Sequence, residues 1–262
     1  MKVKTVKDML DGDWQIFPAG GVTGQAFYAC HENERLFIKR NSSPFLAVLS
    51  AEGIVPKLIW TRRLESGDTI TAQQWVSGRK LKSEDMKSEQ VAKLLKKIHR
   101  SKPLLNMLRR LGKTPILPEK MLEELESKFS PELKQNVDIQ NTFTLLKKML
   151  PEISYNNFSV CHGDVNHNNW ILTDQNELYL IDWEGALIAD PAIDIGPMLY
   201  WYIPKKDWEK WLSVYGMKLS PNLLKRMKWY VLYATLYSIQ FFQDKGNQFE
   251  CEFWINYLQT IE

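Results

Sequence analysis

Apolar and polar positions divide the 262-residue chain into an early β-rich part and a later helical part. Over residues 13–42, Trp14-Gln15-Ile16-Phe17 and the apolar run 26–30 read as strands. A turn at 31–35 then returns the chain through Leu36-Phe37-Ile38-Lys39. Residues 44–54 predict a short helix, and the runs 58–64 and 69–76 around Ser66-Gly67-Asp68 predict a second hairpin. From residue 83 the period changes. Val91, Leu94, Leu95 and Ile98 share one helical face while Lys93, Lys96 and Lys97 point outward, so a helix is expected over 83–100 with Ser83 as its N-cap. Residues 104–118 read as irregular, and amphipathic helices are expected over 118–129 and 138–150. Short β-type runs come back at 158–161, 170–172 and 178–181. The remainder, opened by Asp190 as a cap ahead of Pro191, is helical and aromatic.

The three late β-type runs enclose the chemistry. Read as a buried hairpin, they present Asp164, Asn169 and Asp182 together at one end. Two carboxylates and an amide suit a hydroxyl activated by one acid, with a divalent cation held by the other acid and the amide. Upstream, Gly20, Gly21 and Gly24 lie between two strands, where glycines bring backbone N–H groups close to phosphate oxygens. No Lys-Ser/Thr follows them, so this is not a Walker A loop. Lys39 ends its strand after an apolar run, which packs the stem and directs the ammonium into a cleft.

Charge and composition narrow the class. With 34 Lys and Arg against 31 Asp and Glu, the net charge of +3 is too small to argue for nucleic acid or an anionic membrane as a main partner. Cys30, Cys161 and Cys251 have no metal-type spacing, and their odd number argues against a disulfide framework. The His162/His167 pair lacks the further ligands that zinc requires. No apolar stretch approaches the ~20 residues that span a bilayer, and residues 1–14 carry no apolar segment of the signal-peptide type. A reduced cytoplasmic enzyme is the expectation.

The run His162-Gly163-Asp164-x4-Asn169, followed by Ile181-Asp182-Trp183-Glu184, resembles the kinase-like phosphotransferases that include aminoglycoside and choline kinases. The wording is closer still to the bacterial cell-cycle regulator kinases of the CcrZ (YtmP) group. It is carried there by Phe37-Ile38-Lys39-x-Asn41-x-Ser43-Pro44, Gln74-Trp75-Val76-x-Gly78, His99-Arg100-Ser101-x-Pro103-Leu104 and the stretch from His162 to Trp170. The resemblance implies an α+β, two-lobe protein-kinase-like fold. A small antiparallel β-sheet lobe at 1–77 binds the nucleotide, a mainly helical lobe at 78–262 carries catalysis and the acceptor, and the nucleotide lies between them.

The same resemblance implies ATP and Mg²⁺ as cofactors. Asp164 is then the base, and Asn169 and Asp182 hold the metal. Lys39 contacts the α/β-phosphates and is paired with the helix glutamate Glu52. Main-chain groups of Gln74, Trp75 and Val76 take the adenine, under the glycines Gly20, Gly21 and Gly24. Asp194 braces the catalytic loop, while His99 is expected as a packed or capping residue. His162, Trp183, Glu184 and Tyr200 are the substrate candidates, with His162 also holding the loop.

Two functions remain in play. The first is a kinase acting on a hydroxyl of a ribose-type or ribosyl-nucleoside acceptor, with choline, ethanolamine or an aminoglycoside as alternatives. From residue 191 onward seven acids face eight Lys and Arg, which disfavours a polycationic acceptor. The second is a regulatory binding protein of kinase shape, tied by the resemblance to the division protein FtsZ, the initiator DnaA and the division septum. A degenerate kinase would be expected to lose Lys39, Asp164, Asn169 or Asp182, and all four are present.

Overall fold

The computed structural model describes residues 10, 12–19 and 26–261. Its packing divides the chain into two units, one of residues 1–81 with 167–184 and one of 82–166 with 185–262. The first unit thus ends four residues past the expected boundary at 77/78, and the hairpin 167–184 packs with it.

The first unit is built on β1 (Gln15–Pro18), β2 (Ala26–His31), β3 (Glu34–Arg40), β4 (Leu58–Arg63) and β5 (Thr69–Gln74). They form one antiparallel sheet in the order β1-β2-β3-β5-β4. Alternation sets its faces. Phe27 and Ala29, Leu36 and Ile38, Ile70 and Ala72 lie on one side and form the core with Leu10 and Trp14. Lys39, one residue on from Ile38, therefore lies on the opposite face with its register partners Ala26 and Thr71. Helix α1 (Phe45–Ala51) follows β3. A second sheet, β6 (Gly78–Lys80), β8 (Trp170–Thr173) and β9 (Leu178–Leu180), completes this unit. It is tied to the rest by the Leu180 N–H on the Ile54 carbonyl. Gly78 is obligatory here, because a Cβ would collide with the Leu172 carbonyl oxygen across the β6–β8 pair.

The second unit holds α2 (Glu89–Arg100), α3 (Lys102–Arg110), α4 (Pro118–Lys128), α5 (Val137–Met149), the two-stranded pair of β7 (Ser159–Cys161) with β10 (Leu187–Ala189), α6 (Ala192–Tyr202), α7 (Trp208–Tyr215), α8 (Pro221–Asp244) and α9 (Gln248–Leu258). Two expectations need correction. The helix expected over 83–100 is a 3-10 turn, Ser83–Lys87, and then α2, because Ser88 is extended at ψ 150° and starts the second piece as its N-cap residue. The stretch 104–118 is not irregular throughout. Ser101 caps α3 by accepting the Leu104 N–H at 3.3 Å, Pro103 sits in the first turn, and Leu104 and Leu108 bury one face.

Candidate active site

In the first unit, the β8–β9 register sets the geometry. Trp170 pairs with Leu180, and the Ile181 N–H donates to the Asn169 carbonyl at 2.8 Å. Asn169 and Asp182 therefore leave the hairpin at the same end, as its sequence pattern requires. Asn169 is half-buried and Asp182 exposed. The Asp182 backbone is left-handed, at φ +67°. Asp is among the few side chains that tolerate this region, and such strain collects at functional sites. Among the described residues the Asp182 carboxylate accepts no hydrogen bond.

Lys39 Nζ lies 2.5 Å from Glu184 Oε1. The carboxylate on the strand lysine thus comes from the turn after Asp182, whereas the expected partner Glu52 sits as the C-cap of α1. The Lys39 carbonyl is held in turn by the Thr71 hydroxyl at 3.2 Å, which also meets the Ser42 hydroxyl at 2.8 Å. Trp183 points inward. Its Nε1–H donates to the Leu180 carbonyl at 2.7 Å, and its ring meets Phe45 edge-on at 5.8 Å, so it supports the turn from below.

At the end of β5 the Gln74 N–H reaches the Lys57 carbonyl, and the Trp75 N–H reaches that of Arg35. The Trp75 ring lies 4.6 Å from Tyr28. The next residue, Val76, uses neither its N–H nor its C=O in a hydrogen bond among the described residues. That leaves an edge-on donor and acceptor for a planar ligand. Gly20, Gly21 and Gly24 lie outside the described residues.

In the second unit, β7 delivers the turn that carries Asp164. Gly163 is left-handed at φ +81°, which favours glycine, while a Cβ there would stand 2.9 Å from Leu187 Cδ2, a side-chain tip that could give way. Asp164 is exposed. Its N–H donates to His162 Nδ1 at 3.2 Å, and its Oδ1 accepts from Asn166 Nδ2 at 2.6 Å. His162 is buried and serves the loop. Asp194, on α6, braces the same turn: Oδ2 accepts the His162 N–H and Oδ1 the Gly163 N–H, both at 2.8 Å. Burial alone would push the Asp194 carboxyl up, but hydrogen bonding from His99 and the neighbouring imidazoles outweigh it and hold it below the ordinary carboxylate range.

The N-cap position of α6 is Pro191 rather than the expected Asp190, which lies one residue earlier, accepts the Ala192 N–H at 2.9 Å and pairs with buried Arg226, whose guanidinium stacks 4.0 Å over the Tyr155 ring. Tyr200 is half-buried, 4.7 Å from the Trp208 ring, and its phenol is pushed up by burial. Glu184 on Lys39, Arg226 on Asp190 and Tyr215 on His99 were not foreseen. In each case the partners are far apart in sequence and no local pattern marks the pair.

Residues 16–230 match the phosphotransferase enzyme family known as APH. The chain belongs to that family. It is an enzyme, a phosphotransferase, and its fold is two-lobed and protein-kinase-like. Choline kinase LicA from Streptococcus pneumoniae is 19% identical, with a TM-score of 0.70 over 98% of this chain and 97% of that one. A spectinomycin phosphotransferase in complex with ADP and spectinomycin is 16% identical, with a TM-score of 0.71 over 99% and 94%. A choline/ethanolamine kinase family protein from Mesorhizobium loti is 15% identical, with a TM-score of 0.64 over 94% and 87%. At these identities the likeness is one of fold. No helix among the described residues of this family member is long and apolar enough to cross a membrane.

Proposed function

We propose that this phosphotransferase is an ATP- and Mg²⁺-dependent small-molecule kinase, and that its acceptor is a hydroxyl of a ribose-type or ribosyl-nucleoside compound. The observation that carries the reading is the hairpin end, where an amide and a strained, exposed carboxylate emerge side by side. Asn169 and Asp182 supply hard oxygen donors, the kind Mg²⁺ selects, so the residues present fit that cation. When bound, Mg²⁺ neutralises charge on the nucleotide phosphates. Lys39, steadied by Glu184, binds the α/β-phosphates. Val76, flanked by Gln74 and Trp75, takes the adenine edge through its main chain, and Gly20, Gly21 and Gly24 cover the phosphates. Asp164 orients the acceptor hydroxyl and receives its proton, which positions the nucleophile more than it ionises it. In functional terms we assign nucleotide binding to residues 1–77, and catalysis and acceptor binding to 78–262 with Tyr200 at the acceptor.

Motif wording supports placing the chain in the CcrZ (YtmP) group. It extends the proposal to cytoplasmic action in division and replication control, with FtsZ and DnaA as partners and the septum as a site of recruitment. Near-balanced charge after residue 190 supports a neutral acceptor over an aminoglycoside. Choline is the second reading. A choline kinase shares the fold, and aromatic rings such as Trp201 and Trp254, 5.2 Å apart, are the kind that cage a quaternary ammonium.

ADP release from Mg-ATP, measured with ribose, 2-deoxyribose, adenosine, inosine, choline and an aminoglycoside, tests this. Turnover on the ribosyl compounds alone is expected. Turnover on choline alone would overturn the acceptor, and silence on all six with ATP still bound would favour a regulatory binding protein.

A further inference from the structure

Behind the Asp164 turn lies a buried chain of hydrogen bonds that the transfer chemistry above does not use. His99, on α2, places Nε2 2.9 Å from Asp194 Oδ2 and Nδ1 2.7 Å from the Tyr215 hydroxyl, on α7. The His99 and Asp194 side chains are 1% and 0% exposed, so the protons in the chain must be shared among these groups and not with bulk solvent.

The proton inventory has one economical solution. Asp194 already accepts the His162 and Gly163 amides, one on each oxygen, so it faces His99 as an acceptor and His99 Nε2 carries a hydrogen. Burial pushes the Tyr215 phenol well above its ordinary value, so it keeps its hydrogen too. Among the described residues, that hydroxyl has no hydrogen-bond partner except His99 Nδ1. If Nδ1 also carried a proton, the phenol would have to accept, and its own hydrogen would be buried unpaired at a cost of about 1–3 kcal/mol. A phenol that donates to Nδ1 leaves no group unsatisfied, and it fixes His99 as the neutral Nε2–H tautomer.

We propose that Tyr215 and His99 are positioning residues for phosphoryl transfer. Tyr215 selects the His99 tautomer, His99 locks the Asp194 side chain, and Asp194 clamps the His162 and Gly163 amides so that Asp164 stands where the acceptor hydroxyl must meet it. This rests on the kinase reading above, but its first readout does not. Tyr215→Phe is the informative change, because it deletes one oxygen and keeps the ring that stacks on Trp211 and meets His99 edge-on.

The test begins with long-range ¹H–¹⁵N NMR of the full chain. Wild type is expected to show a single Nε2–H tautomer for His99. In Tyr215→Phe that signature should become mixed, and the amide resonances of Gly163 and Asp164 should shift. On the acceptor that the panel identifies, Tyr215→Phe is expected to lower kcat about tenfold with KM for ATP unchanged. His99→Gln, which keeps an N–H for Asp194, should retain more activity than His99→Ala. A wild-type His99 protonated at Nδ1, amide resonances unmoved in Tyr215→Phe, or an unchanged kcat would each overturn the proposal. Should wild type turn over no acceptor, a moved tautomer and moved amides would keep the clamp and remove only the kinase reading.

Discussion

At the scale of single residues, the site is built from side chains placed where backbone or burial resists them. Asp182 holds a left-handed φ of +67°, a region that Gly163, at +81°, enters without cost. Next to Lys39 the resistance is relieved by a polar knot. Asn41, itself left-handed at +57°, donates to Asp68 Oδ1 at 3.1 Å, its own Oδ1 accepts the Thr69 N–H, and Arg40 pairs with Asp68. The Arg40 hydrogen bond, followed by those from Ser66 and Asn41, lowers the Asp68 carboxyl from 3.8 to about 2. Because the folded value lies below the unfolded one, the stabilisation is complete above pH 3.8 and is lost as pH falls through about 2. Asp68→Asn should therefore melt below wild type at pH 5 and converge with it near pH 2. Thermal melts across that range check this, and curves that stay parallel would contradict it.

At the scale of elements, what the sequence made legible was what local period and local capping control. Alternation placed the strands of the first unit. The β-type runs around Asn169 and Asp182 gave the hairpin, and the helices at 118–129 and 138–150 fall within a residue of α4 and α5. Helix α3 escaped because it is only nine residues long and its apolar positions, Leu104, Leu105, Met107 and Leu108, run straight into Arg109 and Arg110. The signal was in the cap: Ser101 followed by Pro103 marks a helix start. Ser101→Ala should lower stability by about 1 kcal/mol, read as an earlier urea midpoint with an unchanged slope. An unaltered midpoint would mean that burial of Leu104 and Leu108 holds α3 without its cap. The pairs that tune the site were not legible. Nothing in the sequence around Glu184 marks Lys39 as its partner, and Tyr215 is one of ten tyrosines until His99 is seen beside it.

At the scale of the whole molecule, the two packing units divide the residues proposed for catalysis. Asp164 belongs to one, and Asn169, Asp182, Lys39 and Glu184 to the other. Residues assigned to phosphate and metal thus share a unit, while the residue assigned to the acceptor hydroxyl stands apart with its own brace of Asp194, His99 and Tyr215. This division of labour predicts that the two roles separate by mutation. The measurement that tests it most directly is Asp164→Asn, followed in parallel by Mg-ATP affinity in calorimetry and by ADP release on the best acceptor. The account predicts that turnover falls to the blank while the affinity for Mg-ATP stays within about twofold of wild type. A folded variant that has lost nucleotide binding, or one that still turns over at the wild-type rate, would contradict it.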